Sequence, residues 1–325
     1  MSQTNYALIG VGGYIAPRHL EAIKKTGGIL RAAVDPRDSV GFIDHHFPDA
    51  FFFVDFERFA EHVAGLKGTP HEIHRIAVCS PNHLHKSHVG FALRAGADVI
   101  CEKPVVLEPA DIDDLAALER ATGRRVNAIL QLRLHPAIVE LQGKVRADRS
   151  GRVWDVDLTY VTARGRWYYA SWKGDEAKSG GVATNIGVHF YDMLGFVFGR
   201  PAASHVHYRA ADCAAGFLQY ERARVRWFLS INRRDITANE GFAQRSMNVH
   251  DLGFFDFSRG FENLHVASYE RIAAGQGFPL SETRASIETV AHIRRAPLEP
   301  GKGDQHPLLA KVLADKDRYR HGLPA

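Results

Sequence analysis

Cysteine is scarce: the 325 residues hold three, Cys79, Cys101 and Cys213, and no two of them form a CxxC pair. That excludes a disulfide framework and a cysteine knuckle for metal, and buried reduced thiols are the expected state. No charge-free apolar run approaches the ~20 residues a membrane helix needs, so membrane insertion is not expected. The opening MSQTNYALIG has no basic stretch leading into an apolar one with a small-residue cleavage site, so the expectation is a cytoplasmic protein. Basic residues are never five or six together and the net charge is only +4, which argues against nucleic acid as a partner. Internal repeats and low-complexity linkers are also lacking. What is there, 45% hydrophobic and 24% charged residues, is the mixture of a globular chain long enough for two domains. The mild positive balance suits an anionic small molecule gripped by a few arginines and lysines.

Apolar runs and helical spacing alternate through the first part of the chain. Tyr6–Ile9 reads as a buried strand, followed by a glycine turn and a helix carrying Ile15, His19 or Leu20, and Ile23 on one side. ILRAAVD, HRIAVCSP and ADVICEKP read as further strands, and KSHVGFALRAGA and PADIDDLAALERATG as helices, with Pro109 in a first turn. Such alternation predicts a doubly wound parallel sheet of the Rossmann type. The pattern then changes: VWDVDLTYVT, ARVRWFLSINR and MNVHDLGFFDFS alternate as half-buried strands, the last as a hairpin around His250 to Gly253. Two helices are expected near Phe261 to Ala274 and Glu282 to Arg295. The predicted architecture is an α/β domain over residues 1–135 and an α+β domain on an open, mostly antiparallel sheet over residues 136–325.

Gly10 and Gly12 directly follow the first strand, where a tight turn and close approach to a pyrophosphate both favour glycine. The third glycine of the usual fingerprint is missing, with Ile15 in its place and Ala16 beside it. Asp35 ends the second strand, where a carboxylate can accept from a ribose hydroxyl and would repel a 2′-phosphate. NAD is therefore the expected cofactor, although Arg37 nearby softens the preference. An ordinary turn aspartate before Pro36 is the plainer reading of Asp35.

Ligands of open parallel sheets bind beyond the carboxyl ends of the strands. That singles out Ser80, Pro81, Asn82 and His85 after one strand and Glu102, Lys103 and Pro104 after another. Lys103, between an acid and a proline, suits proton transfer or polarising a hydroxyl, with a structural Lys–Glu pair as the alternative. Farther on, GGVATNIGVHFYDML looks helical, with Asn185 and His189 one turn apart. His189 reads as a base, a metal ligand or a core histidine; Asn185 and Asp192 make a weak ligand set beside it, and no metal site is expected there or at His83, His85 and His88.

Gly10 and Gly12, SPNHLH, AGADVICEKPVV, and the GG before Asn185-x-Gly187-x-His189-x-x-Asp192 resemble, in order and spacing, the glucose-fructose oxidoreductase and inositol dehydrogenase (Gfo/Idh/MocA) family. The resemblance covers nearly the whole chain. It implies a Rossmann domain joined to a domain on an open sheet, with Lys103 and His189 as the catalytic pair facing the nicotinamide. Expected cofactor contacts are Gly10, Gly12, Gly13, Tyr14, Ile15, Asp35, Ser80, Asn82, His85, Glu102, Lys103 and Gln131. The family commonly has an aspartate where this chain has Asn185, which cannot take a proton, so acid–base work falls to His189 or Lys103. A helix N-terminus at His189 would favour its neutral ring.

TARGRWYYASWKGDEAKSGG, Thr162 to Gly181, is dense in cations and aromatics, which suit a diphosphate, a carboxylate and a sugar face. Its plain reading is a solvated loop. With YIAPRHLEAI, it is similar to the family branch that oxidises UDP-N-acetylglucosaminuronate at C3 in bacterial surface-polysaccharide (O-antigen) synthesis. That resemblance implies oxidation of the C3 hydroxyl to the 3-oxo sugar with NAD. Lys103, Arg164, Tyr168, Lys173, Asn185 and His189 are then the substrate contacts, and a homo-oligomer, dimer or tetramer, is expected. The alternatives are another sugar, inositol or nucleotide sugar on the same fold, and a catalytically silent NAD-binding sensor.

Overall fold

Parallel strands covered on both faces read as unbroken apolar runs, and in β1 (Asn5–Ile9) every residue is buried. The computed structural model describes residues 3–38, 41–237, 243–315 and 318. After β1 come α1 (Ala16–Lys25), β2 (Ile29–Val34), α2 (Gly41–His46), β3 (Phe51–Phe53), α3 (Phe56–Gly65), β4 (Arg75–Val78), α4 (His85–Arg94), β5 (Asp98–Cys101), α5 (Pro109–Thr122) and β6 (Val126–Ala128). The chain continues with α6 (Pro136–Ala147), β7 (Trp154–Thr162), α7 (Trp167–Ala170), α8 (Glu176–Ser179), α9 (Gly181–Asn185) and α10 (Val188–Phe198). Then follow β8 (Pro201–Arg209), β9 (Cys213–Tyr220), β10 (Ala223–Ser230), β11 (Ala243–Val249), β12 (Gly253–Asp256), α11 (Leu264–Ala273), β13 (Phe278–Pro279), α12 (Arg284–Arg295) and α13 (Pro307–Ala314).

Two compact units result: Met1–Gln131 with Glu262–Arg284, and Leu132–Phe261 with Ala285–Ala325. A single cut after residue 135 therefore needs amending, because α11 and β13 belong with the first unit. β13 pairs with β6 through Phe278 and Ala128. Tyr269 and Ile272 of α11 share an apolar core with Leu20 and Ile23 of α1.

The first unit holds a sheet in the order β13-β6-β5-β4-β1-β2-β3, parallel throughout except at β13. This is the doubly wound Rossmann arrangement, whose strand order reverses between β1 and β4 and opens a crevice there. The second unit holds a sheet in the order β12-β11-β7-β10-β9-β8. It is antiparallel apart from the β7–β10 pair. Trp154, Val156, Leu158 and Tyr160 of β7 are all buried, while Asp155 and Asp157 between them are partly exposed. Val161, Cys213, Ala215 and Phe228 pack against Leu309 and Val312 of α13, a helix absent from the sequence reading. All three cysteines are free and buried.

One expected helix is two. The run from Gly181 to Phe198 breaks at Ile186–Gly187, leaving Asn185 as the last residue of α9 and His189 as the second of α10. A Cβ on Gly187 would lie 2.3 Å from Ala183 O and 2.6 Å from Leu229 Cδ1, so the break lets the backbone press against β10.

Candidate active site

The turn after β1 is built for backbone exposure. Gly10 has φ of +89°, and a Cβ on it would come within 2.6 Å of Ser80 N, so only glycine fits. Gly12 donates its N–H to Asp35 Oδ2 at 2.9 Å, and Arg37 donates its N–H to Oδ1 at 2.9 Å. The carboxylate at the end of β2 thus ties the turn down, and each oxygen keeps a lone pair for a hydroxyl donor. Gly13 folds back on Gly10 O at 3.1 Å, Ile15 precedes the first helical residue, and Tyr14 projects into solvent at 89% exposure. At the start of α1, Ala16 donates its N–H to Gly13 O at 3.1 Å, Arg18 donates to Ile15 O at 3.0 Å, and Pro17 has none; a glycine turn that runs straight into a helix N-terminus in this way fits a pyrophosphate.

The ends of β4 and β5 are locked to one another by a histidine. His85 is fully buried, with Nε2 2.7 Å from Ser80 O and Nδ1 2.7 Å from Pro104 O. Both ring nitrogens face main-chain carbonyls, so the ring is taken up in joining these two loops. Ser80 Oγ bonds His88 Nδ1 at 2.8 Å, and burial, then the neighbouring His85 and His83, pushes the His88 ring down to about 4. Asn82 lies buried in the turn that follows β4, and Gln131 is buried in the turn that follows β6. Lys103 is partly buried, and the peptide joining it to Pro104 is cis. Glu102 Oε2 accepts from the Lys103 N–H at 3.3 Å, and its other oxygen meets His19 and His265.

In the second unit, Asn185 Nδ2 donates to the Tyr168 hydroxyl at 2.9 Å. Tyr168 is only 2% exposed, so its ring lies in the interior of the second unit and its hydroxyl meets Asn185. Burial raises the Tyr168 hydroxyl above its ordinary range, which keeps it a neutral partner. His189 lies partly exposed in the first turn of α10. Asp192, one turn on, makes a bidentate pair with Arg133: Nε to Oδ2 at 2.8 Å and Nη2 to Oδ1 at 2.7 Å. Arg164 is exposed, and the Lys173 ammonium stands 4.3 Å from the Trp172 ring centroid and 5.9 Å from that of Trp167. The expected residues therefore divide between the units: Lys103 and the glycine turn belong to the first, and Arg164, Tyr168, Lys173, Asn185 and His189 to the second, where Asn185 and Tyr168 are in contact.

Sequence reasoning passed over His19, His265, Tyr269 and Arg133. His19 and Leu20 had equal claim to the apolar side of α1, and only the fold reveals that this histidine meets a carboxylate. Arg133 carried no signal beyond lying two residues after Gln131.

Residues 4–129 match the sequence model of the Gfo/Idh/MocA oxidoreductase family's NAD-binding Rossmann fold, and residues 144–243 match that of its C-terminal alpha/beta domain. The WlbA (WbpB) dehydrogenase from Thermus thermophilus, solved with NAD and alpha-ketoglutarate, is 45% identical at a TM-score of 0.89, over 94% of this chain and 99% of that one. The same dehydrogenase solved with NAD and UDP-GlcNAcA aligns at 44% identity with the same TM-score and coverage. The D-glucoside 3-dehydrogenase of Escherichia coli is 29% identical over 136 residues, 41% of this chain and 38% of that protein. The chain spans about two fifths of the length of the curated relatives it matches. Both domain models in order, and a 45% identical relative covered almost end to end, make this chain a member of the Gfo/Idh/MocA oxidoreductase family.

Proposed function

We propose that this chain is an NAD-dependent dehydrogenase that oxidises the C3 hydroxyl of UDP-N-acetylglucosaminuronate to the 3-oxo sugar, a step toward bacterial surface polysaccharide. The observation that carries the reading is the 44% identity, over 94% of the chain, to a dehydrogenase solved with NAD and UDP-GlcNAcA. The glycine cradle and Asp35 would hold the cofactor, with Gly10 and Gly12 leaving room for the pyrophosphate and Asp35 receiving a ribose hydroxyl. When bound, NAD supplies the hydride acceptor for the carbinol carbon.

The protein's own part is to take the hydroxyl proton and hold the sugar. His189, partly exposed in the first turn of α10, is the group assigned to accept that proton. Lys103 is the second group for that proton, either as the base or as the donor that polarises the oxygen. Asn185 cannot ionise; its amide, fixed by Tyr168, orients the hydroxyl. Arg164 and Lys173 meet the diphosphate and the carboxylate, which distinguishes this substrate from neutral sugars.

No helix among the described residues is long and apolar enough to cross a membrane. A soluble cytoplasmic homo-oligomer is the setting we propose. A 2-oxo acid is the second substrate we favour for regenerating oxidised cofactor, since the Thermus relative was also solved with alpha-ketoglutarate.

The test is a single-turnover absorbance assay with NAD and a panel of UDP-N-acetylglucosaminuronate, UDP-N-acetylglucosamine and free sugars. Reduced nicotinamide with the uronate alone supports the reading. Reduction with a neutral sugar overturns the substrate, and silence throughout favours a cofactor-binding sensor.

A further inference from the structure

Immediately before Lys103, the first unit buries a polar cluster drawn from three distant parts of the chain. Glu102 ends β5, His19 lies on α1, and His265 and Tyr269 lie on α11. Glu102 Oε1 is 3.0 Å from His19 Nε2 and 2.9 Å from His265 Nε2. His19 Nδ1 is 2.8 Å from the Tyr269 hydroxyl. Exposure is 0% for His19, 3% for His265 and 6% for Glu102, so none of these bonds is shared with bulk water.

The chemistry of the partners fixes the protons. An ionised carboxylate only accepts, so both Nε2 atoms carry hydrogen. His19 Nδ1 is then a lone pair, which receives the Tyr269 O–H. His265 Nδ1 is buried with no hydrogen-bond partner, and a bare lone pair is less costly there than an unpaired N–H. Burial opposes the charge on Glu102, but the two ring N–H bonds outweigh it and hold the carboxyl well below the usual carboxylate range. Burial likewise keeps His19 below the ordinary histidine range. Glu102 Oε2, meanwhile, accepts from the Lys103 N–H.

The same three ligand atoms lie within 4.8 Å of one another, a grouping that could hold a cation. Separations of 2.9 and 3.0 Å are those of hydrogen bonds, whereas zinc with ~2.0 Å bonds in a tetrahedral site keeps its ligands roughly 3.3 Å apart. The geometry favours protons.

We propose that His19 and His265 are positioning residues for the oxidation: by donating both Nε2–H groups to Glu102 Oε1 they fix this carboxylate, and through its second oxygen the Lys103 main chain, so that Lys103 meets the substrate hydroxyl in one orientation. The inference rests on the assignment of Lys103 to the reaction.

The test uses the full chain with NAD and UDP-N-acetylglucosaminuronate. His19→Leu and His265→Leu remove the donors; His19→Gln and His265→Gln keep an N–H that can reach Oε1. Turnover in the leucine variants should fall about ten- to a hundredfold, the scale of a misplaced catalytic group, with the NAD Kd and the melting temperature little changed. The glutamine variants should recover most of that loss. Wild-type kcat in the leucine variants overturns the proposal, as does an equal loss in both pairs accompanied by weaker NAD binding. Stoichiometric metal in the purified protein, removable by a chelator together with the activity, also overturns it. Should leucine prevent folding, Glu102→Gln decides: lowered kcat with an intact NAD Kd supports the clamp, and unchanged kcat refutes it. Lys103→Met separates the two claims. Full activity in Lys103→Met removes the underlying assignment, whereas an inactive Lys103→Met beside unaffected histidine variants removes the clamp alone.

Discussion

The pair between Arg133 and Asp192 offers a demanding test of how α10, and His189 with it, is held. Both residues are nearly buried, at 8% and 5% exposure, and they meet through two parallel bonds of 2.7 and 2.8 Å. The guanidinium also lies 5.3 Å from the Phe196 ring centroid, in a low-dielectric setting. Removing one partner from such a pair costs about 3–5 kcal/mol, because the buried charge that remains loses its bidentate counter-charge. Replacing both with apolar groups of similar size is often neutral or stabilising. Arg133→Met and Asp192→Leu should each be strongly destabilised, and the double variant far less than their sum. For a unit of this size, about 2–4 °C of melting temperature per kcal/mol makes the single losses roughly 6–20 °C. Differential scanning calorimetry is the assay, read at the transition of the second unit, because two units need not melt together. Single variants that each lose under about 1 kcal/mol, the level of an exposed pair, would refute the argument. So would a double variant that loses the full sum, since apolar packing would then be at fault.

Other outcomes follow from the site. Gly12→Ala sets a Cβ 3.0 Å from the Asp35 carboxylate carbon, which must shift; NAD should bind about tenfold more weakly by calorimetry, roughly 1.4 kcal/mol. Trp172→Leu removes the ring 4.3 Å from Lys173, and the KM for the anionic sugar should rise roughly two- to fivefold, the scale of an exposed cation–π contact, with NAD affinity unchanged. His306 caps α13 by accepting from the Leu308 N–H at 3.2 Å, and burial pushes its ring down to about 4. The unfolded chain takes that proton first, near the ordinary value of about 6.5, so this contribution is complete above 6.5 and is lost as pH falls toward 4. Melting temperature should decline over that window in the parent protein and less steeply in His306→Asn, which keeps a capping oxygen; parallel curves would rule this out.

The elements that could be read without the fold are those with a strong local signature. Gly10, Gly12 and Asp35 stand where backbone conformation and charge leave few choices, and the strands before them are unbroken apolar runs. The second sheet was half legible. β7, β10 and the β11–β12 hairpin alternate, but β9 is buried at every position except Gln219 and so shows no two-residue period. Its Gly216 looks like a turn in sequence, whereas a Cβ there would come within 2.6 Å of the Trp227 ring. β3 and β6 are three residues each, too short for any period. At the site, GVATNIGVHFYDML reads as one helix because Gly187 is set by contact with Leu229, and nothing adjacent in sequence announces that. His19, Glu102 and His265 are spread over nearly 250 positions, so each alone looks like a core residue or an ordinary acid.

The return of the chain through Glu262–Arg284 also sets a schedule for synthesis. A ribosome that has released residue 131 has made every parallel strand of the first sheet, yet α11 and β13 are still roughly 150 residues away. At synthesis rates of about 5–20 residues per second, that delay is roughly 8–30 s. Throughout it, Glu102 lacks the donor from His265 and the edge of β6 lacks its neighbour, so the nascent cofactor domain waits with an open edge and an under-paired interior carboxylate. Chaperone contact during translation should therefore concentrate on chains stalled between these two points, and fall away once residue 284 has emerged.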